Sequence, residues 1–294
     1  MRENILDRLA SGRALVADGA TGTMLQAVGL PVGTPPEAWV LERPEEIVKL
    51  HRAYIEAGSD IVLTTTFGGT RPRLDAARLE APVAEISCRA AELARQAAGD
   101  DIYVAGDIGP TGEMMKPLGA LTFESALEFF AEQAQALAEG GADLVLVETM
   151  SDLDEARAAV SGAKQACDLP VFCTFSFDTH GRTNMGVKPA QAAQALAELG
   201  VAAMGGNCGN APEELLDILP LMRQAAPGIP LVAKPNAGIP RVVQRQVVYD
   251  ATPERMAELA VRFVEVGAVV VGACCGSSPE HIAAIAAAVR KLER

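Results

Sequence analysis

The chain has 294 residues, in which 38 Asp and Glu outnumber 25 Lys and Arg and give a formal net charge of −13. This acidic balance argues against a general nucleic-acid binder, which needs clustered basic residues, and against docking on anionic lipid. The longest uninterrupted apolar stretch, Val266–Cys275, is far shorter than the ~18 residues that a membrane span needs. We therefore expect neither a nucleic-acid partner nor a membrane partner.

The N-terminal segment MRENILDRLASGR carries charges throughout and lacks the apolar core of a signal peptide. Six Cys in a chain of this length, 49% of it hydrophobic, do not resemble the disulfide framework of a small secreted protein. No low-complexity tract or Pro/Ser-rich linker divides the sequence. We expect a cytoplasmic protein that folds as one domain over residues 1–294.

An amphipathic helix that ends in Gly and is followed by an apolar run recurs along the chain. The glycines that end these helices are Gly58, Gly141, Gly200 and Gly267. Each is placed where a helix needs a left-handed C-terminal cap. The runs that follow are rich in β-branched residues, as is typical of parallel strands buried on both faces. The irregular spacing of the glycines indicates repeated βα units rather than a solenoid.

Eight strands are predicted from the apolar runs. They are Ala14–Asp18, Asp60–Thr66, Ile102–Ile108, Leu144–Glu148, Pro170–Phe175, Ala202–Asn207, Pro230–Lys234 and Val269–Cys274. Eight parallel βα units in about 250–300 residues are typical of a TIM (β/α)8 barrel, a member of the α/β class. A doubly wound open sheet is the alternative, but no GxGxxG turn follows the first strand. The barrel is therefore favoured.

Helical periodicity between the strands is clear over Glu45–Ala57 and Pro212–Ala225. Two further helices are predicted to begin at Pro253 and Pro279, because the first turn of a helix tolerates proline. His51 falls within the first of these helices, and we interpret it as a structural residue.

Polar side chains or thiols follow almost every predicted strand, at the end where a barrel carries its chemistry. The most informative of these are Asp18, Glu148, Cys208, Asn236, Cys274 and Cys275. Strands six and eight end at the same rim of a barrel, which brings Cys208 towards the Cys274-Cys275 pair. Three thiolates suit Zn²⁺ and leave one coordination position open.

Other interpretations of the cysteines are open at this point. A free Cys is commonly a small buried apolar residue, and we predict a place in the core for Cys88 and Cys173. A disulfide between Cys274 and Cys275 would be strained and is not expected in the cytoplasm.

The ligand set indicates which zinc chemistry to expect. Three thiolates leave the centre net negative, which makes it a poor activator of water, and hydrolytic zinc sites prefer neutral His ligands. The chain has only 3 His, none of them in a zinc-hydrolase motif. An electron-rich zinc binds another thiol and keeps it as a thiolate at neutral pH. The predicted substrate is therefore a thiol.

The acids at the strand ends suggest the other half of that substrate. Asp18 and Glu148 together suit an ammonium group, and the backbone N–H groups of the glycine-rich Gly19–Gly22 turn suit a carboxylate. Helix caps or surface ion pairs remain the alternative roles for each acid. A ligand with an ammonium, a carboxylate and a thiol is an amino-acid thiol.

Taken together, these segments resemble the homocysteine S-methyltransferases, in particular the zinc-containing homocysteine module of cobalamin-dependent methionine synthases. The matching segments are DGATGTMLQ, HRAYIEAGSDIVLTTTF, GDIGPTGEMMKPLG, ETMSD, GRTNMG, GGNCG, KPNAGIP and GACCGSSPEHI. They extend over nearly the whole chain, and the set is far more specific than any one of its members.

The resemblance implies a catalytic zinc enzyme that makes methionine. Zn²⁺ would be held by Cys208, Cys274 and Cys275, and Asn236 would occupy the fourth position before the substrate arrives. The homocysteine amino group would bind Asp18 and Glu148. The backbone of Gly19, Ala20 and Thr21 would bind its carboxylate. The zinc-bound homocysteine thiolate would then attack a methyl donor.

The identity of the methyl donor is predicted less directly. Relatives that use betaine carry Tyr at two places where this chain has Gly68 and Thr149, which disfavours that donor. Among the aromatic residues, only Trp39 and Phe67 are predicted near the rim. We expect methylated cobalamin, free or on a separate corrinoid protein. S-methylmethionine is the alternative, with Glu113 as a source of negative charge for that cation.

Two functions of other classes compete with methyl transfer. A non-catalytic zinc or redox-sensing subunit would use the same three thiols but would leave Asp18, Glu148 and Asn236 without a role. A zinc hydrolase on the same fold is disfavoured by the all-thiolate ligand set.

Overall fold

The computed structural model describes residues 2–178, 180–209, 211–239, 241–243 and 246–292. Strands and helices alternate along these residues. The strands are β1 Leu15–Val16, β2 Ile61–Leu63, β3 Tyr103–Ile108, β4 Leu144–Met150, β5 Val171–Phe175, β6 Ala203–Cys208, β7 Leu231–Pro235, β8 Arg241–Val243, β9 Gln246–Val248 and β10 Ala268–Val271. The helices are α1 Ile5–Ala10, α2 Gly22–Ala27, α3 Ala38–Glu42, α4 Pro44–Glu56, α5 Arg71–Ala76, α6 Val83–Ala98, α7 Phe123–Glu139, α8 Leu153–Ala166, α9 Pro189–Glu198, α10 Leu215–Ala225, α11 Pro253–Glu265 and α12 Pro279–Leu292, with one 3₁₀ turn at Pro212–Glu214.

Eight of these strands form one parallel sheet in the order β1-β10-β7-β6-β5-β4-β3-β2. A parallel bridge between Ala17 and Ile61 joins the two outermost strands, so the sheet closes on itself. The helices between the strands pack around the outside. The predicted TIM (β/α)8 barrel is therefore confirmed.

The predicted strands all coincide with strands of the barrel, within a few residues at their ends. The cap glycines also behave as expected, because Gly58, Gly141, Gly200 and Gly267 all have positive φ. Helices begin at Pro253 and Pro279 as predicted. The sequence did not predict the antiparallel β8–β9 hairpin, which lies in the connection between β7 and α11.

The apolar core has two parts. Alternate residues of the strands fill the barrel interior, including Leu144 and Leu146 of β4, and α1 inserts Ile5 and Leu9 into the same cluster. The larger part lies between the outer face of the sheet and the surrounding helices. Since α1 precedes β1, it covers the end of the barrel at which the strands begin, and the opposite end stays open.

Two of the cysteines outside the rim have different environments. Cys173 of β5 is fully buried, as predicted. The prediction for Cys88 is wrong, because it lies on α6 with its thiol half-exposed, 3.9 Å from the Glu92 Oε1 atom. The helix presents this position sideways to solvent rather than to the sheet. In the described part of the chain, no helix has the length and apolar character needed to cross a membrane.

Candidate metal and substrate site

A cavity of about 600 Å³ opens at the ends of the strands that point away from α1. Its walls come from the ends of β3, β4, β6 and β7 and from the segments that follow β1, β2 and β10. The cavity brings the predicted thiols and acids to one place. Cys208, Cys274 and Cys275 line it on one side, and Glu148 and the Gly19–Thr21 turn also contribute to its wall.

The three rim cysteines form a compact cluster. Their Sγ atoms all lie within 4.8 Å of one another, and those of Cys208 and Cys274 are 2.9 Å apart. In a tetrahedral zinc site with Zn–S bonds of about 2.3 Å, the sulfurs are about 3.8 Å apart. The three thiols therefore fit a metal ion with little movement of the chain. Among the described residues this is the one group of potential metal ligands of its kind.

The thiols perturb one another strongly. Hydrogen bonds from Cys208 and Cys274 lower the pKa of Cys275, whereas the bond to Cys274 raises the pKa of Cys208. The cluster therefore favours one thiolate stabilised by two neighbouring thiols. A divalent cation would replace the remaining protons, because metal ligation requires the deprotonated form.

Asn207 fixes the position of Cys208. Its side-chain oxygen accepts hydrogen bonds from the Thr149 N–H (2.8 Å) and the Thr174 hydroxyl (2.6 Å). Its amide donates to the Thr149 hydroxyl (2.6 Å) and to the Cys208 sulfur (3.6 Å). Asn207 thus ties the ends of β4, β5 and β6 together beside the thiol. Sequence reasoning missed this role, although Asn207 lies in the GGNCG segment.

Cys208 and Thr149 also adopt backbone conformations that side chains other than glycine rarely take, with φ of 55° and 62°. Left-handed non-glycine residues cluster at functional sites, where the surrounding structure holds them in place. At Cys208 this conformation turns the chain out of β6, and the thiol lines the cavity.

Asn236, the predicted fourth ligand, follows β7. Its side-chain amide donates to the Gly209 carbonyl (2.8 Å), whereas its buried Oδ1 atom has no hydrogen-bond partner within the described residues. Backbone bonds on either side of it join Pro235 to Cys274 and Ala237 to Cys275. The residue is therefore anchored to the cysteine pair and retains an unsatisfied oxygen, which fits a metal ligand.

The acids form a second cluster with a buried lysine. Asp18 and Glu148 are 2% and 5% exposed, and Asp107 and Lys234 are equally buried. The Lys234 ammonium donates to Glu148 Oε2 at 3.0 Å. Burial raises the pKa of Asp18 to about 7, against the opposing charge of Lys234. Sequence reasoning missed Asp107 and Lys234, although both lie in segments that carried the resemblance.

The turn after Asp18 is held from two sides. Tyr54 donates to the Ala20 carbonyl (2.7 Å), and the Ala20 N–H donates to the Ser277 hydroxyl (3.0 Å). The Ala20 N–H is therefore already used within the protein, whereas the N–H groups of Gly19 and Thr21 have no hydrogen-bond acceptor among the described residues. A side chain at Gly19 would collide with Ser277, since a Cβ there would lie 2.4 Å from its hydroxyl oxygen.

The structure does not place all of the residues predicted near the methyl donor at the cavity. Phe67 lines the cavity, but Trp39 is 3% exposed, belongs to the outer core and does not line it. The rim position predicted for Trp39 is therefore wrong, because α3 turns that face inward. Glu113 is exposed and is also absent from the cavity wall. In the part of the cavity wall that contains Phe67 and Gly68, the carboxylate is that of Glu37.

His51 is buried in α4, and burial lowers its pKa to about 4, so the imidazole is neutral at physiological pH. It does not line the cavity. Its position agrees with a structural role.

The family model for homocysteine S-methyltransferase matches residues 15–289. The methionine synthases of Mycobacterium tuberculosis and Mycobacterium leprae are each 34% identical to the chain, over 99% and 98% of its length. The chain spans only about a quarter of those proteins (26% and 25%).

Two solved structures are similar to the chain over nearly the whole length of both proteins. The oxidised and metallated forms of the homocysteine methyltransferase MmuM from Escherichia coli have TM-scores of 0.81 and 0.82, with 26% and 25% identity. Each alignment covers 97% of this chain and 99% of the other. The chain belongs to the homocysteine S-methyltransferase family and is an enzyme of that family.

Proposed function

We propose that this protein transfers a methyl group to the sulfur of homocysteine and so forms methionine. The observation that carries the proposal is one cavity that combines a three-thiol cluster, buried acids and the backbone of the Gly19–Thr21 turn. Those three features complement the thiol, the ammonium and the carboxylate of a single amino acid.

Cys208, Cys274 and Cys275 would hold Zn²⁺, and Asn236 would provide the fourth ligand until the substrate thiol replaces it. When bound, the ion lowers the pKa of a coordinated thiol, so that the substrate sulfur is a thiolate at neutral pH. The all-thiolate ligand set supports this chemistry over hydrolysis, which prefers neutral His ligands.

The other residues orient the substrate. Asp18 and Glu148 supply negative charge for the ammonium group, and the N–H groups of Gly19 and Thr21 remain available for the carboxylate. With both ends held, the sulfur is presented to the donor in one direction. Its lone pair forms the new S–CH₃ bond while the bond between the methyl group and the donor breaks, and the donor keeps that electron pair.

For the donor we propose a methylated corrinoid, free or carried by a separate protein. A large donor is favoured by the apolar side chains exposed around the mouth of the cavity. They lie in the segments that follow β1, β3, β5 and β7. These are Val32, Met114, Leu118, Met185 and Ile239. Exposed apolar residues around an active-site opening are typical of a surface that contacts another molecule.

One observation favours a small cationic donor such as S-methylmethionine as the second candidate. Glu37 is 2% exposed and lines the cavity, and its Oε1 atom accepts the Gly68 N–H at 2.6 Å. A carboxylate buried in a cavity wall attracts a cation more strongly than an exposed one.

The test is methionine formation by zinc-loaded protein from homocysteine with four donors side by side: methylcobalamin, S-methylmethionine, S-adenosylmethionine and betaine. We expect turnover with methylcobalamin, and none in a Cys275→Ala variant. The Cys88→Ala variant is the matched control, because that thiol lies outside the cavity. Absence of methionine with every donor contradicts the proposed reaction. Turnover far faster with S-methylmethionine selects the second candidate.

A further inference from the structure

One wall of the cavity consists of residues that have no role in binding zinc or homocysteine in the function proposed above. It comes from α2, from the turn before α3 and from α5, and we call it the α2–α5 wall. Its residues are Thr23, Gln26, Pro36, Glu37, Arg73 and Ala77. The cavity measures about 600 Å³, which exceeds what a small amino acid such as homocysteine fills. A second ligand therefore has room beside this wall.

Arg73 is the cation of the α2–α5 wall, and most of its hydrogen-bond donors are unused. Within the described residues its side chain makes one hydrogen bond, from Nε to the Pro110 carbonyl at 3.0 Å. The two Nη nitrogens, which carry the remaining N–H donors of a guanidinium, have no acceptor there. This fork matches the paired oxygens of a carboxylate or a phosphate. Arg73 thus places an unused anion-binding group in the wall of the cavity.

The loop that follows β3 holds the guanidinium in place. A Cβ at Gly112 would lie 3.1 Å from the Arg73 Cζ and Nε atoms, so the loop packs closely on this group. Glu155, which is 4% exposed, fixes the loop, because its Oε1 atom accepts from the Thr111 N–H (2.8 Å) and hydroxyl (2.6 Å). A binding group that is fixed before its ligand arrives loses less entropy on binding.

The carboxylates near Arg73 do not account for its position. Burial raises the pKa of Glu37, and the positive charge of Arg73 opposes that rise, so the two groups are near each other. Glu37 nevertheless has a donor of its own, the Gly68 N–H at 2.6 Å. Arg71 of the same helix forms two ion pairs. Arg73 forms none with the residues that the structure describes, and its fork stays available.

Two hydroxyl groups of the cavity wall also lack partners. Thr65 is 2% exposed, and its Oγ1 atom has no hydrogen-bond partner within the described ranges. The same is true of the buried Oγ1 atom of Thr23, and both residues line the cavity. A buried polar atom without a partner costs free energy and requires an explanation. Hydroxyl groups can donate to the oxygens of an anion, as the Arg73 fork can.

We propose that Arg73 binds an anionic group of the methyl donor, a carboxylate or a phosphate, at the α2–α5 wall. This inference rests on the proposed function and adds a donor-binding residue to it. The donors considered above offer two sources of the anion. S-methylmethionine carries a carboxylate, and methylcobalamin carries the phosphate of its nucleotide loop. A donor held by a group remote from its methyl can present that methyl to the substrate sulfur.

The test compares donors with and without the anion. S-methylmethionine is paired with its decarboxylated analogue, and methylcobalamin is paired with methylcobinamide, which lacks the nucleotide loop and its phosphate. Binding of each to zinc-loaded protein is measured by calorimetry without homocysteine, and KM and kcat are measured with homocysteine present. The variants are Arg73→Gln and Arg73→Lys. The matched control is Arg71→Gln, on the same helix but outside the cavity wall. Thermal stability and zinc content are checked for each variant.

We expect Arg73→Gln to weaken binding of the anionic member of at least one pair by roughly 10- to 100-fold, as for a lost charge-assisted contact. Binding of the member without the anion should change by less than about twofold. Arg73→Lys keeps the charge but loses the fork, so its affinity should be intermediate. The KM for homocysteine should not change, and Arg71→Gln should behave as wild type. The pair that responds identifies the source of the anion.

Three outcomes overturn the role of Arg73. They are an equal loss for both members of each pair, no loss for any donor, and a wild-type protein that binds none of these donors. A rise in the KM for homocysteine as large as that for the donor would assign Arg73 to homocysteine and would also overturn the proposal. Because calorimetry needs no turnover, donor binding that depends on Arg73 without any methionine formation contradicts the proposed function and leaves the donor site standing.

Discussion

The acids at the two ends of the barrel differ in whether their carboxylate oxygens have partners within the protein. At the end where the strands begin, Asp143 binds Arg2 and Arg95 and also accepts the Val104 N–H at 2.7 Å. At the end where the strands finish, Asp18 and Asp107 each have a buried oxygen without a partner among the described residues.

The difference separates stability from function within one fold. Satisfied acids at the closed end join neighbouring strands, and they need nothing from outside the protein. Unsatisfied polar atoms are rare in folded proteins because each one costs free energy. The unsatisfied oxygens of Asp18, Asp107 and Asn236 at the open end indicate that this end is complete only with its ligands, in agreement with where barrels carry their chemistry.

The largest effect should come from the thiols of the open end. Replacing Cys274 by Ala should abolish methyl transfer and zinc binding while leaving the fold largely intact, because the thiol lies beyond the last residue of β10. Metal analysis, a methionine assay and circular dichroism of the variant check this. Full zinc occupancy together with full activity would refute the ligand assignment.

The burial of Asp18 at the open end should appear as a pH dependence of stability. Burial raises the pKa of Asp18 from 3.8 to about 7, so the folded state holds a proton that the unfolded chain releases. The stability contribution of Asp18 is therefore present at low pH and is lost as the pH rises towards 7, by up to roughly 1.4 kcal/mol per pH unit.

The measurement is urea unfolding of the metal-free wild-type protein and of Asp18→Asn from about pH 5 to about pH 8. The variant retains an acceptor for the Leu63 N–H but has no charge to bury. We expect it to gain stability relative to wild type up to about pH 7 and to stay level above. Parallel pH profiles for the two proteins would show that Asp18 is not perturbed by burial.

At the closed end, replacing an acid should lower the stability of the protein and leave substrate binding unchanged. Asp143→Ala removes three contacts and leaves Arg2 and Arg95 without their common partner, and we expect a loss of about 1–3 kcal/mol of stability. The KM for homocysteine should be unchanged, because Asp143 lies at the opposite end from the cavity. Denaturant unfolding and steady-state kinetics measure both quantities. A change in KM with unaltered stability would contradict the separation of the two ends.

The smallest effect should come from Ser277, which supports the Gly19–Thr21 turn that we propose binds the substrate carboxylate. Its hydroxyl accepts the Ala20 N–H (3.0 Å) and donates to the Cys274 carbonyl (2.7 Å). Ser277→Ala should cost about 1 kcal/mol in homocysteine binding, the net value of a hydrogen bond. We expect a several-fold rise in the KM for homocysteine while the zinc site stays fully occupied. Loss of zinc instead would mean that the residue mainly positions Cys274.

Much of the fold was predictable from local patterns. The barrel strands are short, apolar and preceded by helix-capping glycines such as Gly58 and Gly141, and these signals need no tertiary information. The thiol cluster followed from topology, because Cys208 and Cys274 lie at the ends of strands that share a rim. The β8–β9 hairpin escaped prediction, since RVVQRQVV contains no Gly, Pro, Asn or Asp to mark its turn.

The roles of the residues that the sequence did not predict depend on the direction in which each side chain points. The position of a residue in the sequence does not give that direction. Lys234 lies in an apolar strand, and only the three-dimensional structure shows that its ammonium reaches Glu148. Trp39 and Glu37 lie two positions apart around the start of α3. Helix rotation sends the indole to the core, whereas Glu37 lies in the cavity wall.

The left-handed backbone at Cys208 has a consequence for redesign of this chain. At φ of 55° glycine is the residue that the backbone favours, and a side chain with a Cβ costs roughly 1–2 kcal/mol there. A procedure that optimised stability alone would therefore replace Cys208 by Gly and would remove one of the three thiols without harming the barrel. Position 208 is a place where the requirement for a thiol has overridden the conformational preference of the chain.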